Sequence, residues 1–185
     1  MLAYKHLPNI ISTFRIAATV WLLLMEPLSP LFLVIYTLTG LSDVADGAIA
    51  RKYNTTSETG AKLDSIADLL FYTLILIRIF PVMWVTLPKK IWVFVAAILF
   101  VRACAYSCCA LKHHTFASIH TYLNKLTGFM VFGVVYAIAS PIAVPYCFSV
   151  CLAGMISSLE ELLIHLTSKE YDVRRKTIFK SISAE

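Results

Sequence analysis

Charge is scarce in this 185-residue chain. Asp, Glu, Lys and Arg make up 15% of it, against roughly 25% in soluble domains, too little for an ordinary solvated surface. There are five cysteines, but no C-x2-C pair with a second such pair, so a structural zinc site is not expected. Cys104, Cys108, Cys109, Cys147 and Cys151 all lie in apolar runs and read as buried free thiols. No basic patch carries interleaved aromatics, so the net charge of +5 does not point to nucleic acid. No internal repeat or low-complexity linker divides the chain, and a single domain over residues 1–185 is expected. The first 27 residues lack a small-residue cleavage site, and polar residues interrupt their apolar run. They read as a retained first span with an amphipathic lead-in.

Apolar residues are what the chain has in abundance. They make up 59% of it, with a mean hydropathy of +0.77. They come in long runs rather than as one stripe of a helix, which is the pattern of membrane spans. Six segments stand out, at about 8–26, 31–50, 63–80, 90–111, 122–139 and 143–167. Pro81 is expected to end the third. A charged tail follows over about 168–185. Backbone groups in lipid must be satisfied within the segment, so the fold class is all-α integral membrane with six transmembrane helices.

The basic residues set the orientation. Six spans place both termini on one side, together with Lys5, Arg15, Arg51, Lys52, Lys62, Lys112, Lys125 and the basic tail. The other side holds only Lys89 and Lys90, and Arg78 and Arg102 fall inside spans. The positive-inside bias makes both termini, and the loop between Arg51 and Lys62, cytoplasmic.

Against this background stands "SDVADGAIARKYNTTSETGAKLDSIADLL", residues 42–70, with four aspartates. Asp43 and Asp46 share a face of the second helix, about 4.5 Å apart along its axis, and Asp64 and Asp68 share a face of the third, about 6 Å apart. Each carboxylate in hydrocarbon costs at least about 2.5–3.5 kcal/mol, and four like charges repel. A hard divalent cation offsets both terms, because Mg²⁺, Mn²⁺ and Ca²⁺ prefer oxygen ligands. Gly47 and Ala50 leave room for a ligand beside the helix, and Arg51 suits a bidentate phosphate contact. Gly60 is expected to help the loop turn back into the third helix. Ser57 could donate to phosphate, although a polar loop also needs hydroxyls for its own turns. Metals, a phosphate-binding arginine and small residues together describe a site for a pyrophosphate-linked nucleotide, with a base to deprotonate an attacking hydroxyl.

These residues read Asp43-x2-Asp46-Gly47-x2-Ala50-Arg51-x8-Gly60-x3-Asp64-x3-Asp68. The pattern resembles, position for position, the signature of the CDP-alcohol phosphotransferase family of integral membrane enzymes. The likeness extends to the early "PNIISTFR" and the six-span layout. The resemblance implies displacement of CMP from CDP-diacylglycerol, or a related CDP-lipid, by the hydroxyl of a small alcohol. It implies that Asp43, Asp46, Asp64 and Asp68 bind two ions, Mg²⁺ or Mn²⁺, and that Asp68 is the general base. Gly47, Ala50 and Arg51 match nucleotide-contacting positions, and Gly60 lies where the pocket needs a small residue. A homodimer in the cell membrane, with its active site facing the cytoplasm, is also implied.

The acceptor is less sharply marked. Lys125, in "NKLTG", resembles a lysine that holds an acceptor phosphate in some members, which makes glycerol 3-phosphate the first expectation. Bacterial members using that acceptor typically read LDPxADK where this chain reads "LDSIADLL". Ser65 resembles serine-using members, and inositol or inositol phosphate stays open, as does transfer from CDP-choline or CDP-ethanolamine to diacylglycerol. Arg102, inside a span, is a candidate acceptor residue by default, or it pairs with an acid or backbone carbonyls. His113, His114 and His120 fit no closed metal site. Glu160 and Glu161 face either the interface or the cavity. The reading from another class is a cation or proton transporter, which would spread acids over several helices at mid-membrane depth. Here the four aspartates crowd one edge beside an arginine.

Overall fold

The computed structural model describes residues 7–53, 58–113, 121–168 and 177, and the side chains at 7–9, 43–53, 58–62, 64, 65 and 113 lie outside the described residues. The helices are α1 (Leu7–Leu24), α2 (Pro30–Tyr53), α3 (Glu58–Thr86), α4 (Lys89–His113), α5 (Tyr122–Ala137) and α6 (Ala143–Thr167). Among the described residues there is no strand, and each of the six apolar segments is one helix. Among the described residues three stretches are long and apolar enough to cross a bilayer: Ile66–Thr86, Lys89–Lys112 and Ala143–Thr167. Ile10–Leu24 and Pro30–Ser42 are shorter apolar helices. Helix α5 has 16 residues, about 24 Å at the α-helical rise.

Two boundaries differ from the sequence expectation. Pro81 does not end the third segment, because α3 runs through it to Thr86. A proline inside a helix forfeits one backbone bond and crowds one carbonyl. In an apolar run, ending the helix would leave more backbone groups without partners. Gly60 is not in a turn either. It lies within the first turn of α3, which begins at Glu58.

The chain forms two units, Met1–Trp84 and Val85–Glu185. In the first, α1 and α2 are joined by a tight turn in which Leu28 takes a left-handed φ of 65°. Helix α2 then starts at Pro30, a residue suited to the first helical position. Ser29 caps it, its Oγ accepting the Phe32 N–H at 3.2 Å. The core is a set of helix stripes: Ala18 and Leu22 on α1, Phe32, Ile35 and Tyr36 on α2, and Ala67, Phe71, Ile75 and Ile79 on α3. Tyr36 stacks on Phe71 with ring centroids 5.5 Å apart. Arg78 Nη2, on α3, donates at 2.6 Å to the Met25 carbonyl just past the end of α1.

In the second unit α6 packs against both α4 and α5. Its buried stripe is mostly small: Ala143, Cys147, Cys151, Gly154, Ser157 and Ser158. Small residues let helices approach closely where lipid supplies no hydrophobic drive. The cysteines among them are free thiols, as expected. Helices α4 and α6 run parallel, shown by Phe94 against Phe148 near their starts, 5.9 Å between centroids. Near their ends Lys112 Nζ donates to the carbonyls of His165 at 3.1 Å and Leu166 at 2.6 Å. A lysine there serves the last carbonyls of a helix and its negative dipole end. Helix α5 returns antiparallel, with Tyr146 Oη of α6 donating to the Met130 carbonyl at 2.9 Å.

Candidate active site

The signature is carried by two helices and a short connection. Positions 43, 46, 47, 50 and 51 are in α2, and positions 60, 64 and 68 are in α3. The connection 54–57, and Ser57 with it, lies outside the described residues, as do the side chains of Asp43, Asp46, Ala50, Arg51 and Asp64. What the backbone fixes is register. The buried positions 32, 36 and 39 of α2 advance in steps of four and three, and the same steps reach 43 and 46. On α3 positions 64 and 68 continue through 71 and 75, both buried. Each aspartate pair therefore lies in line with the stripe that its helix packs.

Asp68 is described in full. Its Oδ1 accepts from Nη1 of Arg15 at 2.6 Å. The arginine side chain is 1% exposed while the aspartate keeps 37% of its side chain open. A buried cation on α1 thus holds a carboxylate on α3 that solutes can reach. Arg15 also directs Nε at Ser42 Oγ over a long 3.4 Å. The Ser42 hydroxyl proton is given to the Thr39 carbonyl at 2.7 Å, which leaves its oxygen to accept. Ser42 immediately precedes Asp43. Helix α1 accommodates this arginine with a polar buried stripe of Ser12, Arg15 and Thr19, and Thr19 Oγ1 returns its proton to the Arg15 carbonyl at 2.7 Å.

In the sequence Arg15 is one of the basic residues that set orientation and the last residue of "PNIISTFR", with no role at the site assigned to it. The signal that marks it was available: an arginine inside an apolar run is a functional candidate by default, the rule that singled out Arg102.

In the second unit Arg102 is engaged by the protein. Its Nη2 donates to Asn124 Oδ1 at 3.1 Å, its Nε approaches Ser158 Oγ at 3.4 Å, and Glu161 Oε2 lies 3.7 Å away. Glu161 is thus a buried countercharge rather than an interfacial one. Lys125 is exposed in the first turn of α5, where Thr121 caps the helix by accepting the Asn124 N–H at 3.1 Å. His114 and His120 lie outside the described residues. Among the described residues no three His, Cys, Asp or Glu side chains cluster to hold a metal, and three of the four signature carboxylates lie outside that set. The donor chemistry fits a hard divalent ion: four carboxylates, two per helix, one turn apart in each pair.

A chain whose described residues are helical and apolar, with paired aspartates on adjacent helices, has the character of a membrane protein. It matches the CDP-alcohol phosphatidyltransferase family over residues 5–164 and belongs to it. It is 34% identical over 93 residues to the CDP-diacylglycerol–glycerol-3-phosphate 3-phosphatidyltransferase of Blochmanniella floridana, covering 45% of this chain and 48% of that protein. It is 35% identical over 80 residues to the protein of that name from Rickettsia bellii (strain RML369-C), covering 40% and 44%. The stretch shared with the Wigglesworthia glossinidia brevipalpis protein of the same name is 36% identical over 63 residues. The matches thus span less than half of these relatives' own lengths. No solved structure matches the chain.

Proposed function

We propose that this protein transfers the phosphatidyl group of CDP-diacylglycerol to glycerol 3-phosphate, releasing CMP, at a site facing the cytoplasm. The observation that carries this reading is the unbroken signature on α2 and α3. The acceptor follows the names of the similar proteins. In this reading the six helices span the cell membrane with both termini cytoplasmic, and the enzyme is a homodimer.

The reaction forms one bond and breaks one. A hydroxyl oxygen of glycerol 3-phosphate attacks the phosphorus that bears the diacylglycerol, and the anhydride bond to the CMP phosphate breaks. The hydroxyl proton passes to the Asp68 carboxylate as general base. Asp43, Asp46 and Asp64, with Asp68, would hold Mg²⁺ or Mn²⁺, which supplies electrostatic stabilisation of charge on the phosphoryl oxygens. Arg51 clamps a phosphate of the CDP-lipid, Ser57 donates to it, and Gly47, Ala50 and Gly60 leave it room. Lys125 attracts the acceptor phosphate, and Arg102 supports it through Asn124, the lysine's neighbour.

The test is to incubate purified protein with CDP-diacylglycerol and Mg²⁺ or Mn²⁺. Glycerol 3-phosphate, serine, inositol and inositol phosphate are offered in turn, and CMP and lipid product are measured. Metal-dependent phosphatidylglycerol phosphate formation is expected. No CMP release with any acceptor would sink the reading, and product from serine alone would reassign the acceptor.

A further inference from the structure

An arginine buried to 1% in an apolar helix is expensive. Desolvating a charge costs several kcal/mol even after relaxation, so its partners reveal what it is kept for. Arg15 reaches across to Asp68 of α3 at 2.6 Å and, more loosely, to Ser42 of α2 at 3.4 Å. These two contacts lie at the aspartate signature: one is its last carboxylate, the other precedes its first. The arginine spends its guanidinium inside the unit, while the carboxylate it holds stays 37% exposed. A purely structural ion pair has no need of that asymmetry. A carboxylate that must face a substrate in one orientation does.

Building on the phosphatidyl-transfer reading, we propose that Arg15 is a positioning residue: from α1 it fixes the carboxylate of Asp68 and, through Ser42, the stretch of α2 that leads into Asp43. It touches no substrate. Its planar fork binds one carboxylate oxygen in a set direction, which a lysine's point charge does not reproduce. The α1 helix thereby becomes part of the catalytic unit, although the signature is confined to α2 and α3.

The test uses the full-length protein in detergent, with R15M, R15K, D68N and R15M/D68N variants. It reads kcat and KM for both substrates, thermal unfolding, and Mn²⁺ binding by electron paramagnetic resonance. Misplacing a reacting group by about 1 Å costs on the order of 100-fold, so R15M is expected to lose about that much kcat with little change in either KM. Removing a cation beside an acidic cluster strengthens the cluster's attraction for Mn²⁺, so R15M should bind Mn²⁺ at least as tightly as the parent while turning over slowly. R15K should fall between R15M and the parent in kcat. Replacing Arg15 should slow D68N much less than it slows the parent, because the main contact of Arg15 acts through the Asp68 carboxylate and only the Ser42 contact is left.

Turnover in R15M or R15K equal to the parent's would overturn the proposal. So would parallel loss of Mn²⁺ binding, thermal stability and turnover in both variants, which marks a scaffold residue. A double variant slowed relative to D68N by as much as R15M is slowed relative to the parent would also overturn it. Inactivity of the parent protein with every acceptor counts against the phosphatidyl-transfer reading itself, and the Mn²⁺ comparison between the parent and R15M still tests Arg15.

Discussion

In the proposed reaction the Asp68 carboxylate has two demands on it, a proton to accept and a cluster of like charges beside it in sequence. Arg15 meets the second by bringing a positive charge to 2.6 Å. The first is open to test. D68N keeps the size and polarity of the side chain but removes the base, so kcat should fall by about 10²–10⁴-fold, measured as CMP released from CDP-diacylglycerol. Lys125 makes a different prediction. An exposed lysine at the start of α5 acts as a point charge for a phosphate. K125A should raise KM for glycerol 3-phosphate by about tenfold while leaving KM for the CDP-lipid unchanged. Equal effects on both substrates would remove Lys125 from the acceptor site.

At the scale of elements, the second unit depends on close helix approach. An added methyl at Gly133 of α5 meets the Tyr146 hydroxyl of α6, and that hydroxyl is committed to the Met130 carbonyl at 2.9 Å. The G133A variant should therefore lose about 1–3 kcal/mol by overpacking. Y146F, which removes only the bond, should lose about 1 kcal/mol. Unfolding in detergent should rank the parent above Y146F and Y146F above G133A. In the first unit the corresponding device is the Ser29 cap of α2, where S29A should cost about 1 kcal/mol. How far the elements were legible in sequence follows from their physics. Runs of apolar residues located all six helices, because length and hydropathy decide them. Pro81 misled because a proline signals a helix end in water more strongly than in an apolar run, where the remaining backbone bonds favour continuation. Gly60 misled for a related reason. Its place after the polar stretch 54–59 suggests a turn, but α3 already begins at Glu58 and a glycine is tolerated near a helix start.

At the scale of the whole molecule, two measurements address the proposed arrangement. Chelation with EDTA should abolish CMP release and added Mn²⁺ or Mg²⁺ should restore it, because carboxylate clusters bind such ions reversibly. Activity untouched by chelation would remove the metals from the reaction. Protease-cleavable tags at the two termini, tested in sealed right-side-out and inverted vesicles, should both be cut only in the inverted ones, as the basic residues predict. Tags cut from opposite sides would mean an odd number of spans. Helix α5, with 16 residues, is the element whose crossing such an experiment tests most directly.

The sequence by itself determined the helical class, the six elements and the positions of the four aspartates. Each is written in local composition and spacing, which the tertiary structure does not alter. It also carried the signature that places the chain in its family. What only the tertiary structure decided is who holds whom. Asp68 and Arg15 are 53 residues apart, and Arg102 meets Asn124 and Glu161 across 22 and 59 positions, the latter from 161 − 102. Such pairings follow from how helices pack against one another, and no periodicity along one helix encodes them. The same is true of burial: the charge on Arg15 is plain in the sequence, but its enclosure beneath an open carboxylate exists only once α1, α2 and α3 have come together.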